Sequence, residues 1–288
     1  MRTEGDVMLA TKPIPSPSAR LLFFPSSDTE YVFFENSVTV PFTPTPAFSL
    51  TNAWWLADSA LLSYWPPEQA RSAFTHGGFG DTQFFSVDST QCYVASTDSF
   101  VVVSFRGTEI TQLEDDLTDA RAELVTWSVG GRVHQGFAGA LESVWQSLEL
   151  YLRSLPRVAV WFTGHSLGAA LATLAAMRWR ILGGDVGGIY TVGSPRVGDA
   201  AFADACDRAL HGLCFRYVNG SDSVTQCPPE EWGYRHVGEQ RSIGGASASH
   251  PVLAGLEAPF LDHTPRRYAT LIWNELANSA VAGPSSHS

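Results

Sequence analysis

One short stretch, residues 158–171, constrains this chain more than any other. An apolar, β-branched run at 158–163 leads into Gly164-His165-Ser166-Leu167-Gly168, and an Ala- and Leu-rich run follows at 167–177. Strand, glycine-bounded serine and helix in that order make a nucleophile elbow, the GxSxG pattern on a sharp strand-to-helix turn. The spacing has a steric cause. A serine at the tip of such a turn sits in strained backbone, and side chains two positions either side would collide, so Gly164 and Gly168 carry none. The helix that starts beside Ser166 also offers unpaired N–H groups and a partial positive charge where an oxyanion would form. An elbow of this kind requires a sheet whose strands alternate with helices.

The rest of the chain supports such a core. With 44% apolar and 12% aromatic residues over 288 positions, one large α/β domain has ample material to bury. A formal charge of −11, with only 18 Lys and Arg, argues against nucleic acid and anionic membrane surfaces as partners. No run approaches the roughly 18–20 apolar residues that span a bilayer, so no transmembrane segment is expected. The first twenty residues carry Glu4 and Asp6 and do not read as a secretory signal, so the default expectation is a cytoplasmic protein, with leaderless export as the alternative. Cys92, Cys206, Cys214 and Cys227 have no metal-ligand spacing, and neither a metal nor a cofactor is expected. Thiols are the expectation for them, with a Cys214–Cys227 bridge as the alternative.

Residues 1–48 are rich in Pro, Ser and Thr and read as an arm over a catalytic domain at 49–278, with 279–288 as a flexible tail. Trp54, Ala57, Leu61, Leu62 and Trp65 recur at helical spacing, and Pro66 and Pro67 end that helix. Three strands follow at 82–87, 91–96 and 100–105, with loops short enough for antiparallel neighbours. The last runs into Arg106-Gly107-Thr108, where a hydroxyl and a backbone N–H stand at the carboxyl edge of a sheet. Arg106 is expected to pair with a carboxylate. Residues 109–132 are placed as a lid is, but the first part offers only Ile110, Leu113 and Leu117 against five carboxylates, which disfavours strong interfacial activation. His134 precedes a long amphipathic helix and is read as fixing its start. Beyond the elbow, strand and helix alternate through 218, which predicts a mixed, mostly parallel central sheet flanked by helices.

A serine hydroxyl near pH 7 needs a base, and the base needs an acid that sets its tautomer. In elbow hydrolases the order is Ser, acid, His. Asp222 follows a strand at the edge from which Ser166 emerges, so it is the acid. His263 precedes a helix expected to be capped by Thr264 with Pro265 in its first turn, and is the favoured base; His250, in an Ala-Ser loop, is the alternative. Thr108 and the N–H of Leu167 are the candidate oxyanion donors.

These residues resemble the class 3 lipases, fungal-lipase-like α/β-hydrolases, over roughly residues 50–275. The family's oxyanion strand is similar to Phe105-Arg106-Gly107-Thr108, and its Asp-x-x-x-Asp segment to Asp115 and Asp119. Its Val-His-x-Gly-Phe resembles 133–137, its elbow 164–170, its Gly-Ser-Pro-Arg-Val-Gly turn 193–198, and its Asn-x-x-Asp acid loop 219–229, with Ser223 where proline is usual. Its Asp-His end resembles 262–268. The resemblance implies an α/β-hydrolase fold and a carboxylic ester hydrolase acting on acylglycerols or related lipid esters. It assigns Ser166 as nucleophile, Asp222 as acid, His263 as base, Thr108 and Leu167 as oxyanion donors, and Gly164, His165 and Gly168 to the elbow. The expected partner is a lipid or small acyl-ester substrate, met through transient contact with a lipid interface. A phospholipase or acyltransferase on the same triad, or a non-catalytic lipid-binding module, are the alternatives.

Overall fold

The computed structural model describes residues 31–108, 123–244 and 261–282. Its central layer is a seven-stranded sheet. Two antiparallel connections come first: β1 (Asp81–Val87) pairs with β2 (Thr90–Ser96), and β2 with β3 (Phe100–Phe105). Both turns have local causes. Asp88 takes φ 50, a conformation that short polar side chains tolerate. Thr97 Oγ1 accepts from the N–H groups of Ser99 and Phe100, which closes the second turn. From β3 the sheet is parallel, through β6 (Ala159–His165), β7 (Val186–Val192), β9 (Cys214–Asn219) and β11 (Glu239–Ile243). The spatial order is β1-β2-β3-β6-β7-β9-β11.

Parallel strands need crossovers, and helices supply them on both faces. On one face lie α3 (Gln135–Ser154), α4 (Leu167–Ile181) and α5 (Ala200–Ala209). They pack with Val94, Val103, Phe105 and Phe162. On the other lie α1 (Leu50–Leu62), α2 (Pro67–His76) and α6 (Pro265–Ala282), against Tyr93, Val102, Trp161, Tyr190, Phe215 and Tyr217. Neighbours such as Trp161 and Phe162 therefore enter opposite cores, as the period-2 alternation of a strand requires. With both faces covered, β3, β7 and β9 are buried along their whole length, and β3 accordingly reads as a nearly continuous apolar run. Truncating a ring such as Phe162, fully buried, would cost about 3–5 kcal/mol.

α1 ends at Leu62, three residues before the expected limit, and Trp65 lies in the turn beyond it. Pro66 and Pro67 stop this helix and also start α2, since proline is preorganised for a first turn. α1 is buried on all sides from Asn52 to Leu62 rather than along one stripe. The cover comes from residues 31–48: Phe42 stacks on Phe100 at 4.2 Å between centroids, and Trp55 Nε1 donates to the Val40 carbonyl at 2.8 Å. Asp58, fully buried on α1, accepts from the Tyr31 hydroxyl and from the Phe34 N–H, the latter at 2.9 Å.

A smaller antiparallel sheet, β10-β8-β5-β4, flanks the core, with β4 (Leu124–Thr126), β5 (Arg132–His134), β8 (Gly198–Asp199) and β10 (Tyr234–Arg235). The end of the expected lid is thus a hairpin, β4 to β5, turning at 127–131, whereas 109–122 lie outside the described residues. His134 accepts from the Gly136 N–H at 3.1 Å and caps α3 as expected. Asp199 caps α5 through the Phe202 N–H at 2.9 Å. α6 runs on to Ala282, past the expected boundary at 278. No disulfide joins the four cysteines, and burial raises the Cys214 thiol to about 12. No described helix is long and apolar enough to cross a membrane.

Candidate active site

Ser166 sits at the junction of β6 and α4 with φ 60 and ψ −127, one of three non-glycine residues with positive φ among those described. Such backbone is strained by about 1–3 kcal/mol and persists only where the surroundings over-determine it. Here they do. A Cβ at Gly164 would lie 2.3 Å from the Gly168 carbonyl, and a Cβ at Gly168 would lie 2.3 Å from the Phe105 oxygen. Chain segments approach so closely that no side chain fits. The Ser166 N–H donates to the Val192 carbonyl at 3.1 Å, which ties the turn to β7.

Asp222 lies in the loop after β9, and its carboxylate has three donors. His263 Nδ1 is 2.9 Å away, the Tyr268 hydroxyl 2.6 Å, and the Val224 N–H 3.0 Å. A carboxylate only accepts, so Nδ1 of His263 carries its hydrogen and Nε2 is left with the basic lone pair. His263 Nε2 and Ser166 Oγ are both buried without a hydrogen-bond partner, so the two atoms that a proton transfer would join are uncommitted. Tyr268 OH also accepts from the Asn219 N–H at 2.9 Å, which places Asp222 and the end of β9 on one anchor. Burial and the adjoining carboxylate hold the Tyr268 hydroxyl well above the ordinary phenol range, so it remains a donor.

The backbone around His263 is equally committed. Its carbonyl receives His165 Nε2 at 2.6 Å, and His165 Nδ1 faces the Tyr64 hydroxyl at 2.8 Å. A carbonyl cannot donate, so Nε2 of His165 is the protonated nitrogen and Tyr64 donates to Nδ1. Burial, with the nearby His263, holds His165 well below the usual imidazole range, and it is neutral. Asp262 accepts from both the N–H and the Oγ of Ser221, at 2.9 and 3.0 Å, and pairs with Arg267 at 3.4 Å. Asn219 Nδ2 donates to the Asp262 carbonyl at 2.8 Å. Pro265 opens α6, and the Thr264 hydroxyl before it donates to the Leu261 carbonyl at 3.1 Å.

The β3–β6 register pairs Phe105 with Gly164, so the chain leaving β3 runs beside the elbow. A Cβ at Gly107 would lie 2.5 Å from the His165 carbonyl and 2.2 Å from the Tyr64 hydroxyl, which leaves Thr108, half-buried, as the next residue along the serine. Leu167 is the first residue of α4, where N–H groups lack intrahelical partners. Among the described residues Arg106 meets a carboxamide: its Nη1 donates to Gln91 Oε1 at 2.7 Å. His250 lies outside the described residues. His236 is committed elsewhere, with Nε2 on the Thr225 carbonyl at 2.8 Å and a pKa lowered by burial to about 3.

Sequence reasoning on its own assigned no role to Tyr64, Tyr268, Asp262 or Asn219. Tyr268 and Asp262 stand within a motif and had a signal. Tyr64, 101 positions from His165, had none.

Residues 102–232 match the family model of class 3 lipases. Among proteins similar by sequence, a secreted mono- and diacylglycerol lipase of Malassezia restricta is 34% identical over 165 residues, 52% of this chain and 54% of that one. Another secreted mono- and diacylglycerol lipase, from Fusarium solani, is 37% identical over 120 residues, 40% of this chain and 35% of that one. The chain thus matches about half the length, or less, of these relatives. By shape it is similar to the triacylglyceride lipase of Rhizomucor miehei, with a TM-score of 0.54 and 28% identity over 67% of this chain and 78% of that one. A second triacylglycerol lipase aligns at a TM-score of 0.59, covering 74% of this chain and 92% of the other, with 23% identity, and bears on the fold alone. The fold is that of an α/β-hydrolase. The relatives are named as secreted, and this overturns the cytoplasmic default drawn from the first twenty residues. Sequence and shape converge on the same core, and over residues 102–232 the chain is similar to the class 3 lipases.

Proposed function

We propose that this protein hydrolyses carboxylic esters of acylglycerols, mono- and diacylglycerols first among them, through an acyl-enzyme on Ser166. The observation that carries the reading is the strained, enclosed Ser166 together with a buried His263–Asp222 pair whose tautomer leaves Nε2 basic. Ser166 Oγ attacks the ester carbonyl and His263 Nε2 takes its proton. Asp222 stabilises the imidazolium. The N–H groups of Thr108 and Leu167 hold the oxyanion, with the Thr108 hydroxyl as a third donor. His263 then protonates the departing alcohol, and water repeats the sequence on the acyl-enzyme. The substrate class is taken from the relatives, both named for mono- and diacylglycerols, and with it go transient contact with a lipid interface and an extracellular setting.

The test compares wild type, Ser166→Ala, His263→Ala and His250→Ala on p-nitrophenyl esters from acetate to palmitate and on emulsified mono-, di- and triacylglycerols. Loss in the first two variants with activity kept in the third is expected. Activity retained in His263→Ala and lost in His250→Ala would move the base to the other histidine. A wild type inert on all esters, yet labelled by a fluorophosphonate at Ser166, would place the substrate in another acyl class.

A further inference from the structure

Behind the loop that carries Asp222, on the α5 side of the sheet, lie two buried guanidiniums. Arg216 stands on β9 between Phe215 and Tyr217, which enter the α1 core, so its own side chain lies on the opposite face. It is 5% exposed and Arg196 6%. Arg196 is well engaged: Nη1 donates to the Gln226 carbonyl and to that of Pro228 at 3.1 Å, and Nη2 meets Glu230 at 2.9 Å. Arg216 is not. A guanidinium has five donors, yet among the described residues its one side-chain hydrogen bond runs from Nη2 to Gln240 Oε1 at 3.2 Å. Nε of both arginines is buried without a partner.

The charges are as unbalanced as the hydrogen bonds. Among the described residues the carboxylate paired with these arginines is Glu230, which serves Arg196 and is itself 68% exposed. Arg235 is spoken for by Asp204 and Asp207. Burial first, and then Arg196, pull the Arg216 pKa below its usual value, and the same two cations depress His236. Native proteins pair or ligate buried charges, because an unpaired one carries an uncompensated desolvation cost. Water would satisfy the donors and leave the charge; an anion satisfies both.

We propose that Arg196 and Arg216 form a binding site for a small monovalent inorganic anion, of the size and charge of chloride. The anion lies against the back of the acid loop. Arg196 holds the carbonyls of Gln226 and Pro228, His236 holds that of Thr225, and Thr225 Oγ1 holds that of Asp222 at 2.7 Å. Occupancy therefore stabilises the segment that presents Asp222, without touching the reacting atoms.

The experiment is thermal unfolding of the full chain in sodium chloride, bromide and gluconate at one ionic strength. A ligand that binds only the folded state raises Tm with its concentration. The expected result is a saturating rise in chloride and bromide over gluconate, and a bromide anomalous peak beside Arg216 Nε in crystals. The variant Gln240→Glu places a permanent carboxylate on Arg216, so its Tm in gluconate should rise and its halide response should vanish; Arg216→Met should lose the response as well if it folds. Equal wild-type Tm in the three salts would overturn the proposal, as would a halide response undiminished in Gln240→Glu.

Discussion

Ser166 and His263 are placed by opposite means. Ser166 is held by backbone sterics: β6, α4 and the end of β3 approach so closely that Gly164 and Gly168 have no room for a Cβ. His263 is held by side chains drawn from distant parts of the chain. Asp222 fixes its ring, Tyr268 fixes Asp222, His165 fixes its carbonyl, and Tyr64 fixes His165. The lesson concerns failure. A sterically built element loses its fold when it is altered, whereas a hydrogen-bonded one loses its geometry first.

The largest expected effect lies in the chemistry that both regions serve. Ser166→Ala should lower kcat by roughly 10⁴–10⁶-fold, on the scale of other serine hydrolases, with circular dichroism and Tm unchanged; a residual rate within tenfold of wild type would remove Ser166 from the mechanism. Gly168→Ala tests the steric half. With 2.3 Å to the Phe105 oxygen, the variant should lose about 3 kcal/mol or more in denaturant unfolding. A loss below about 0.5 kcal/mol would show that the backbone can give.

Tyr268→Phe tests the other half. It leaves the Asn219 N–H without its partner and Asp222 Oδ2 with His263 Nδ1 alone, at a cost of about 1–3 kcal/mol. Its kcat should fall by about tenfold, since 1.36 kcal/mol of misplaced transition-state stabilisation is one decade, while KM is kept. A fall in stability with kcat and its pH profile unmoved would make Tyr268 structural only.

Asp58 gives a pH test outside the site. Burial first raises its carboxyl to about 7, against Tyr31 and Phe34, which lower it. The folded state therefore binds a proton that the unfolded state, with an ordinary carboxyl pKa of 3.8, has released. Stability from this group is complete below about 4, falls as pH rises toward 7, and is then flat. Asp58→Asn, whose amide offers an acceptor to Phe34 and a donor to Tyr31, should flatten that slope and be the more stable form at pH 8. An identical slope in the variant would assign it to other groups. The smallest effect is expected from Thr108→Val, which keeps the backbone donor and deletes the hydroxyl. One oxyanion donor is worth at most about 3–4 kcal/mol, and unchanged turnover would remove the hydroxyl from the mechanism.

The central part of the fold was legible because its causes are local. Strands at 82–87, 91–96 and 100–105 came within a residue of β1, β2 and β3, and the parallel alternation followed from strand, helix and strand in turn. The caps at His134 and Asp199 are contacts across two or three residues. The arm over the domain was read from its composition, but not that Phe34 and Phe42 would bury α1, because a Pro-rich segment has no period that marks which side chains turn inward. The contact of Arg106 with Gln91 was missed for a related reason: Gln91 is opposite through the β2–β3 pairing, which composition does not report.

Alone, the sequence determined the glycine-bounded turn at Ser166 and the alternation that makes a parallel sheet, since these depend on backbone sterics and short-range periodicity. Only the tertiary structure decided how the base is held. Tyr64 meets His165 across 101 positions, Tyr268 meets Asp222 across 46, and Arg216 meets Gln240 across 24. Side-chain hydrogen bonds have no sequence period. They form where strand order and crossover geometry bring the groups together, which is a property of the packed sheet and its two helical layers.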